Sequence, residues 1–283
     1  DGVDELVVLR SFADAAPDPR DSYLALLRGR PAAPPGEFPF VLPTTLTPVH
    51  GNASSFAIGD FVSASGTPVL ELAVAIPVGT TPNALDGNHV RFFRYAPGAT
   101  AADDRFVPSA AAGGPQALLD GSGPTRLAAA DLDRDGSVDL LVACRGDSTL
   151  RLFRNTGAAG AGGEVAVDAF VEGLSSPELL AVGEPTLLQL ADVNGDGNLD
   201  AVAFVEFTSA VTGLRSTSIG TYLSSGAGDF DGPRFASATR TGDRDARLFG
   251  DLGDWNRDRV PDLLLGWSAI GNQNLRVLFG GTR

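Results

Sequence analysis

The sequence predicts an all-β fold, a β-propeller of four-stranded antiparallel blades, and three observations carry that expectation. An acidic nine-residue turn recurs at a near-constant interval. Short apolar runs flank each full copy of it. Turn-forming residues, 35 Gly and 19 Pro, are spread along the whole 283-residue chain.

The repeat comes first, because a missed period misreads a whole fold. Three segments align without gaps. The first holds Asp131, Asp133, Asp135, Ser137 and Asp139. The second holds Asp192, Asn194, Asp196, Asn198 and Asp200, and the third holds Asp254, Asn256, Asp258, Val260 and Asp262. Their shared pattern is D-x-[DN]-x-D-x-x-x-D. Apolar runs follow at 140–144, 201–205 and 263–267, and others precede at 127–130, 187–191 and 247–250. Two weaker copies lie upstream. Gly59, Asp60 and Phe61 lead through a longer loop to Glu71, and Asp1 to Val8 reads as the second half of the same loop. The last acidic positions are Glu5, Glu71, Asp139, Asp200 and Asp262, at intervals of 66, 68, 61 and 62 residues.

Within one period the strands follow from pattern. Residues 125–132 and 139–144 are the first two strands. A tight turn at 145–148 leads into 149–154, which alternates apolar and polar as a half-buried strand does. A Gly-rich loop and a fourth edge segment near 166–172 complete the unit. Four strands per unit make a propeller blade. No run shows helical periodicity long enough for a helical solenoid. The chain therefore reads as one propeller domain over 1–283. Its repeats lie roughly at 1–45, 46–115, 116–178, 179–240 and 241–283.

The loop itself fits a hard cation, which takes six to eight oxygens. Carboxylates or amides at positions 1, 3, 5 and 9 aim oxygens inward, and the main-chain carbonyl of position 7 adds another. Position 6 is Gly136 or Gly197 in two copies, where a left-handed backbone is expected. Position 8, Val138, Leu199 or Pro261, is expected to plug the core beneath. No His or Cys lies in any loop, which argues against zinc. Calcium suits a multidentate oxygen cage better than magnesium, which keeps its waters. The EF-hand is excluded: its twelfth position needs Glu, and here that position is Val142, Ala203 or Leu265. The expectation is two to three Ca²⁺ sites. The 254–262 loop carries Arg259 where Gly is favoured, so weaker binding or a strained turn is expected there. The copy at Asp60 carries Val62, Ala64 and Pro68 and is expected to bind nothing.

The formal net charge is −14. That disfavours a nucleic-acid binder, which needs a basic face. Three divalent ions would bring −14 to −8. No stretch is apolar enough to span a membrane. The single cysteine, Cys144, can make no intrachain disulfide, and His50 and His89 are too scattered to point to a Cys–His pair. Arg145, Gly146, Asp147 and Ser148 spell RGDS at an expected hairpin tip, a sequence that a tight turn also uses. The Gly/Ala stretch at 157–163 lacks the Lys of a phosphate loop. Asn52, Ala53 and Ser54 form a glycosylation sequon. Trp255 and Trp267 are expected to pack in the core or rim, not to stack on a sugar.

On the residues from Ala130 to Ala143, Ala191 to Ala203 and Gly253 to Leu265, with Gly59, Asp60, Phe61, Asp1 and Gly2, the sequence resembles the FG-GAP repeat family, also called VCBS repeats. The resemblance implies a propeller, often seven-bladed, with calcium between the first two strands of a blade. It implies a scaffold shared by adhesion heads, lectins and some polysaccharide lyases. Only about four and a half periods are visible. The expectation is either a fragment of a larger ring, completed by a further chain or segment, or a complete ring of five. The function expected is a calcium-stabilised, non-enzymatic recognition or structural module. Its partner is another protein or a surface glycan, in cell adhesion or a like role. The location is extracellular or at the cell surface, with the bacterial periplasm or outer surface favoured. A carbohydrate-binding lectin is the first alternative. A polysaccharide lyase or hydrolase is the second, disfavoured because the chain has no Lys to abstract a proton.

Overall fold

The computed structural model of the chain describes residues 5–11, 22–30, 40–43, 46–49, 51–62, 70–77, 88–98, 100, 103–111, 114–115, 123–158, 165, 169–173, 183–233, 247–269 and 272–278. The half-loop at Asp1 to Asp4, His50, Ala64, Pro68, residues 159–163 and the side chain of Trp267 lie outside them. The fold is all-β, a propeller of antiparallel sheets, and no α-helix occurs among the described residues. None of them forms a helix long and apolar enough to cross a membrane.

The chain divides into two compact units, 1–123 with 158–167, and 124–157 with 168–283. The first unit holds β1 (Glu5–Ser11), β2 (Ser22–Gly29), β3 (Phe40–Val41), β4 (Thr47–Pro48), β5 (Ser55–Gly59), β6 (Glu71–Ile76), β7 (His89–Ala96) and β8 (Arg105–Pro108). A short pair, β9 (Ala110–Ala111) and β10 (Gly114–Pro115), follows. Strands β1, β2 and β3 form one sheet, with β4 pairing back onto β2, and β5 to β8 form a second in chain order. Their shared core joins Leu24 and Leu26 to Leu72, Val74, Ile76, Phe93 and Phe106. The Thr47 hydroxyl donates to the Phe106 carbonyl at 2.5 Å, tying β4 to β8.

The second unit holds β11 (Pro124–Ala130), β12 (Asp139–Cys144), β13 (Thr149–Asn155), β14 (Phe170–Glu172), β15 (Glu184–Ala191), β16 (Asp200–Thr208), β17 (Arg215–Tyr222), β18 (Arg247–Gly253), β19 (Asp262–Ala269) and β20 (Asn272–Leu278). These make three meanders: β11 to β14, β15 to β17 and β18 to β20. The expected fourth strand is present in the first. The other two sheets have three strands among the described residues.

The second strand of a blade explains why its sequence is apolar without alternation. Every residue of β6 and β12 is buried, as are the first six of β16. A strand covered on both faces has no polar side to write into the sequence. In β16, Ala201, Ala203 and Val205 pack with Leu141, Ala143, Leu150 and Leu152 of the preceding sheet. Val202 and Phe204 pack the other way, with Leu252, Leu263 and Leu265 of the following sheet. Successive sheets thus stack face to face as blades. Both first strands carry a register shift beside a proline, between Pro124 and Arg126 and between Pro185 and Leu187. A bulge is where a strand tolerates a residue that cannot donate.

Candidate metal centre

Each acidic loop joins the first strand of a blade to the second, so a buried strand fixes both its ends. Loop 131–139 links β11 to β12, 192–200 links β15 to β16, and 254–262 links β18 to β19.

One hydrogen-bond pattern repeats in all three. The position 1 carboxylate accepts the N–H groups of positions 5 and 6. Asp131 takes Asp135 at 3.1 Å and Gly136 at 3.0 Å. Asp192 takes Asp196 at 3.0 Å and Gly197 at 2.8 Å, and Asp254 takes Asp258 at 3.0 Å and Arg259 at 2.9 Å. Position 3 accepts the same position 5 N–H, through Asp133 at 3.2 Å, Asn194 at 2.8 Å and Asn256 at 2.8 Å. Position 5 accepts the N–H of position 7: Asp135 from Ser137, Asp196 from Asn198, and Asp258 from Val260. The turn is thereby wound around its own carboxylates. Asp and Asn do this in ordinary turns too. Each carboxylate offers about four lone-pair sites, so these bonds leave acceptor capacity for a cation.

Position 9 has a different task. Asp139, Asp200 and Asp262 are fully buried. Asp139 accepts the N–H of Leu132 at 2.8 Å and of Asn155 at 2.8 Å. Asp200 accepts those of Val193 at 3.1 Å and Ser224 at 2.9 Å. Asp262 accepts those of Trp255 at 2.9 Å and Asn256 at 3.2 Å. Burial pushes the Asp139 carboxyl up to about 6, against these hydrogen bonds, and the charges of Asp133 and Asp135 push the same way. Burial also raises Asp200, with Asp196 and Asp192 adding to it. Asp196 is held below the usual carboxylate range, first by the Asn198 N–H it accepts.

The donor set fits a hard cation best in the first loop. Ligand oxygens of Asp131, Asp133 and Asp139 all lie within 4.8 Å of one another, the one such acidic trio among the described residues. The other loops place Asn194 and Asn256 at position 3, and each amide donates at 2.9 Å to its position 5 neighbour, Asp196 or Asp258. Position 7 carries Ser137, Asn198 and Val260, which have only a main-chain carbonyl in common.

One expectation needs correction. Position 8 is not the core plug: Leu199 is 37% exposed, and Val138 and Pro261 are only partly buried. The plug is position 2. Leu132 is 3% exposed within the core, and Val193 packs on the next cluster. In all three loops the N–H of position 2 reaches the buried position 9 acid, and in the first two its apolar side chain also packs inward. In the third loop position 2 is Trp255, which is 44% exposed and lies over Gly253, and Val260 is the buried apolar residue of the loop. Trp255 is therefore a partly exposed rim residue.

Left-handed backbone occurs at position 6, as expected of Gly136 (φ +92°) and Gly197 (φ +86°). Arg259 adopts it too, at φ +72°, so the strain expected in the third loop is present. Position 4 is also left-handed, at Arg134 (φ +62°), Gly195 (φ +77°) and Arg257 (φ +65°). The sequence reading missed this, although Gly195 was a signal for it.

The RGDS tetrapeptide forms the expected tight turn, with Arg145 and Asp147 exposed and Ser148 at φ +56°. Both charges are engaged by neighbours. Arg145 pairs with Glu184 at 2.8 Å, and Asp147 is held by Arg151 and by the Thr149 hydroxyl. Cys144 and His89 are buried strand residues, and Asn52 of the sequon is exposed.

Residues 131–203, from the first loop through the second, match a family model described as an FG-GAP-like repeat, which supports the family resemblance. No curated protein sequence matches the chain. Among solved structures, the chain is similar to the biofilm matrix protein Bap1 of V. cholerae, at 16% identity and a TM-score of 0.38. The alignment covers 81% of this chain and 38% of that one, so this chain spans well under half of that protein's length.

Proposed function

From the FG-GAP-like repeat at residues 131–203 as premise, we propose that the chain is a calcium-stabilised, non-enzymatic recognition or structural module of an exported protein. The observation that carries this reading is the convergence of Asp131, Asp133 and Asp139 within 4.8 Å, in a loop whose hydrogen bonding recurs twice more. Asp131, Asp133, Asp135, Asp139 and the Ser137 carbonyl would hold the first ion. Asp192, Asn194, Asp196, Asp200 and the Asn198 carbonyl would hold the second. Asp254, Asn256, Asp258, Asp262 and the Val260 carbonyl would hold a weaker third. A bound cation supplies charge neutralisation. The protein supplies the fixed cage, because each loop hangs between two strands of a packed blade.

Location follows from supply. At extracellular calcium of about 1 mM and a Kd of about 10⁻⁴ M, each site is mostly filled and stabilises the fold by roughly 1.4 kcal/mol. In a cytosol with far less calcium the same sites stand empty, so an extracellular or surface setting suits them. The partner is another protein or a surface glycan, met by the loops between strands, and a further blade is a fitting neighbour for the last sheet. There the side chains of Phe249 and Leu275 are exposed on one face. A glycan array separates the two partner classes: specific glycan binding selects the lectin reading.

The test is calcium removal. With two to three sites emptied by a chelator, the melting temperature is expected to fall by on the order of 10 °C. Calorimetric titration should count two to three ions. An unmoved melting temperature together with no calcium uptake overturns the proposal.

A further inference from the structure

Arg134 stands at position 4 of the first loop, between Asp133 and Asp135, and its side chain leaves that loop. One guanidinium nitrogen, Nη2, donates to the Gly197 carbonyl at 2.6 Å and to the Asn198 side-chain oxygen at 2.7 Å. Both acceptors belong to the second loop. The two blades also meet beside this contact: a Cβ placed on Gly228 would lie 3.0 Å from the Asp133 Cβ and 2.8 Å from Arg154 Cδ. Arg134 holds a left-handed backbone at φ +62°, a conformation that Gly195 fills in the second loop without a side-chain penalty.

Resting on the calcium reading above, we propose that Arg134 is a positioning residue that couples the first and second cation loops, so that filling either one raises the affinity of the other. The guanidinium holds the Gly197 carbonyl and the Asn198 side chain of the second loop. Both grips restrain Asn198, the residue whose main-chain carbonyl is assigned to the second ion. In the other direction, an ion on Asp133 and Asp135 fixes the backbone on both sides of Arg134 and so fixes the grip. Coupling between two sites is reciprocal by thermodynamic necessity. The arginine charge opposes a dication on the second loop, but Arg134 is exposed and water screens that repulsion. A charge-assisted hydrogen bond to a carbonyl is the stronger effect.

The experiment uses the full chain in an Asp254→Ala background, which silences the third loop, with calcium titrated calorimetrically. Asp131→Ala, which disables the first loop, should weaken the second by about fivefold. Arg134→Gln, with the first loop intact, should weaken the second loop to the same degree. Combining Arg134→Gln with Asp131→Ala should add nothing further. Arg134→Lys keeps the charge on a shorter, point-like donor and should restore part of the coupling, which guards against a folding defect in the glutamine variant. Additive losses, or a second loop indifferent to Arg134, overturn the coupling while leaving calcium binding intact. Tighter binding in Arg134→Gln also overturns it, since charge repulsion would then be the dominant effect. A chain that takes up no calcium removes the reading beneath both.

Discussion

The connection between β5 and β6 and the loop between β11 and β12 share an anchor and differ at position 3. In both, a buried acid opens the second strand and accepts the backbone N–H of a buried apolar residue. Glu71 takes Phe61 at 2.8 Å, and Asp139 takes Leu132 at 2.8 Å. In both, that apolar side chain enters the core. Phe61 meets Phe92 edge to face, with ring centroids 5.3 Å apart. The oxygens differ. Asp133 stands at position 3 of the loop, where the connection has Val62. The difference separates two tasks that one motif conceals: positions 2 and 9 join strand to strand, position 9 while also offering an oxygen to the proposed ion, whereas positions 1, 3 and 5 anchor no strand and can hold an ion or lose it.

The sharpest way to break that division is to remove one residue of each role from the same loop. Asp139→Ala strips the acceptor from two backbone donors, Leu132 and Asn155. It should cost roughly 2–5 kcal/mol in urea unfolding even with a chelator present. Asp131→Ala frees N–H groups on an exposed loop, which water can satisfy. Its cost in chelator should stay under about 1 kcal/mol, with calcium binding to that loop lost. Equal costs in chelator would show that the two roles are not separate.

That division also explains what was legible in the sequence. The period, the sheet type and the loop residues could be read because they recur: β12 and the 145–148 turn fall where expected, and β13 ends one residue later. The anchor was harder to read. Asp139 and Asp131 are both aspartates, and burial, which is a tertiary property, is what separates their tasks. The inward side chain was misassigned to position 8 for the same reason. Alternation along a turn does not say which residue faces the core, and Leu132 sits there with its N–H on Asp139 and its side chain in the cluster between two sheets. The left-handed position 4 was hidden by Arg134 and Arg257, which side-chain preference alone would not place at positive φ.

A smaller effect sharpens the comparison through pH. Burial, with the Asp60 charge in support, raises the Glu71 carboxyl to about 7, from an ordinary value of 4.5, against the Phe61 N–H that lowers it. The folded chain therefore holds a proton on Glu71 that the unfolded chain has released, and stability falls as pH rises across that window. The contribution is full below about pH 4.5 and is lost by about pH 7. A decline of about 1–3 kcal/mol is expected, discounted for water reaching the carboxylate. Glu71→Gln should flatten the decline, measured in chelator so that no ion intervenes. An unchanged slope in that variant would assign the decline to other acids.

The smallest effect compares the second loop with the third at position 6, where the two differ in backbone strain. Position 6 is Gly197 in one and Arg259 in the other, both left-handed. The nearest atom to a Cβ placed on Gly197 is Arg134 Nη2 at 3.8 Å, an ordinary contact, so Gly197→Ala should cost only the backbone penalty, about 1 kcal/mol. Arg259→Gly should recover a similar amount, a rise of about 2–4 °C in melting temperature. Because the strain sits between the Asp258 and Val260 ligands, relieving it should also tighten calcium at the third loop. If Arg259→Gly stabilises the chain but leaves that affinity unmoved, strain and ion binding are independent, and the third loop is weak for another reason, such as the exposure of Trp255.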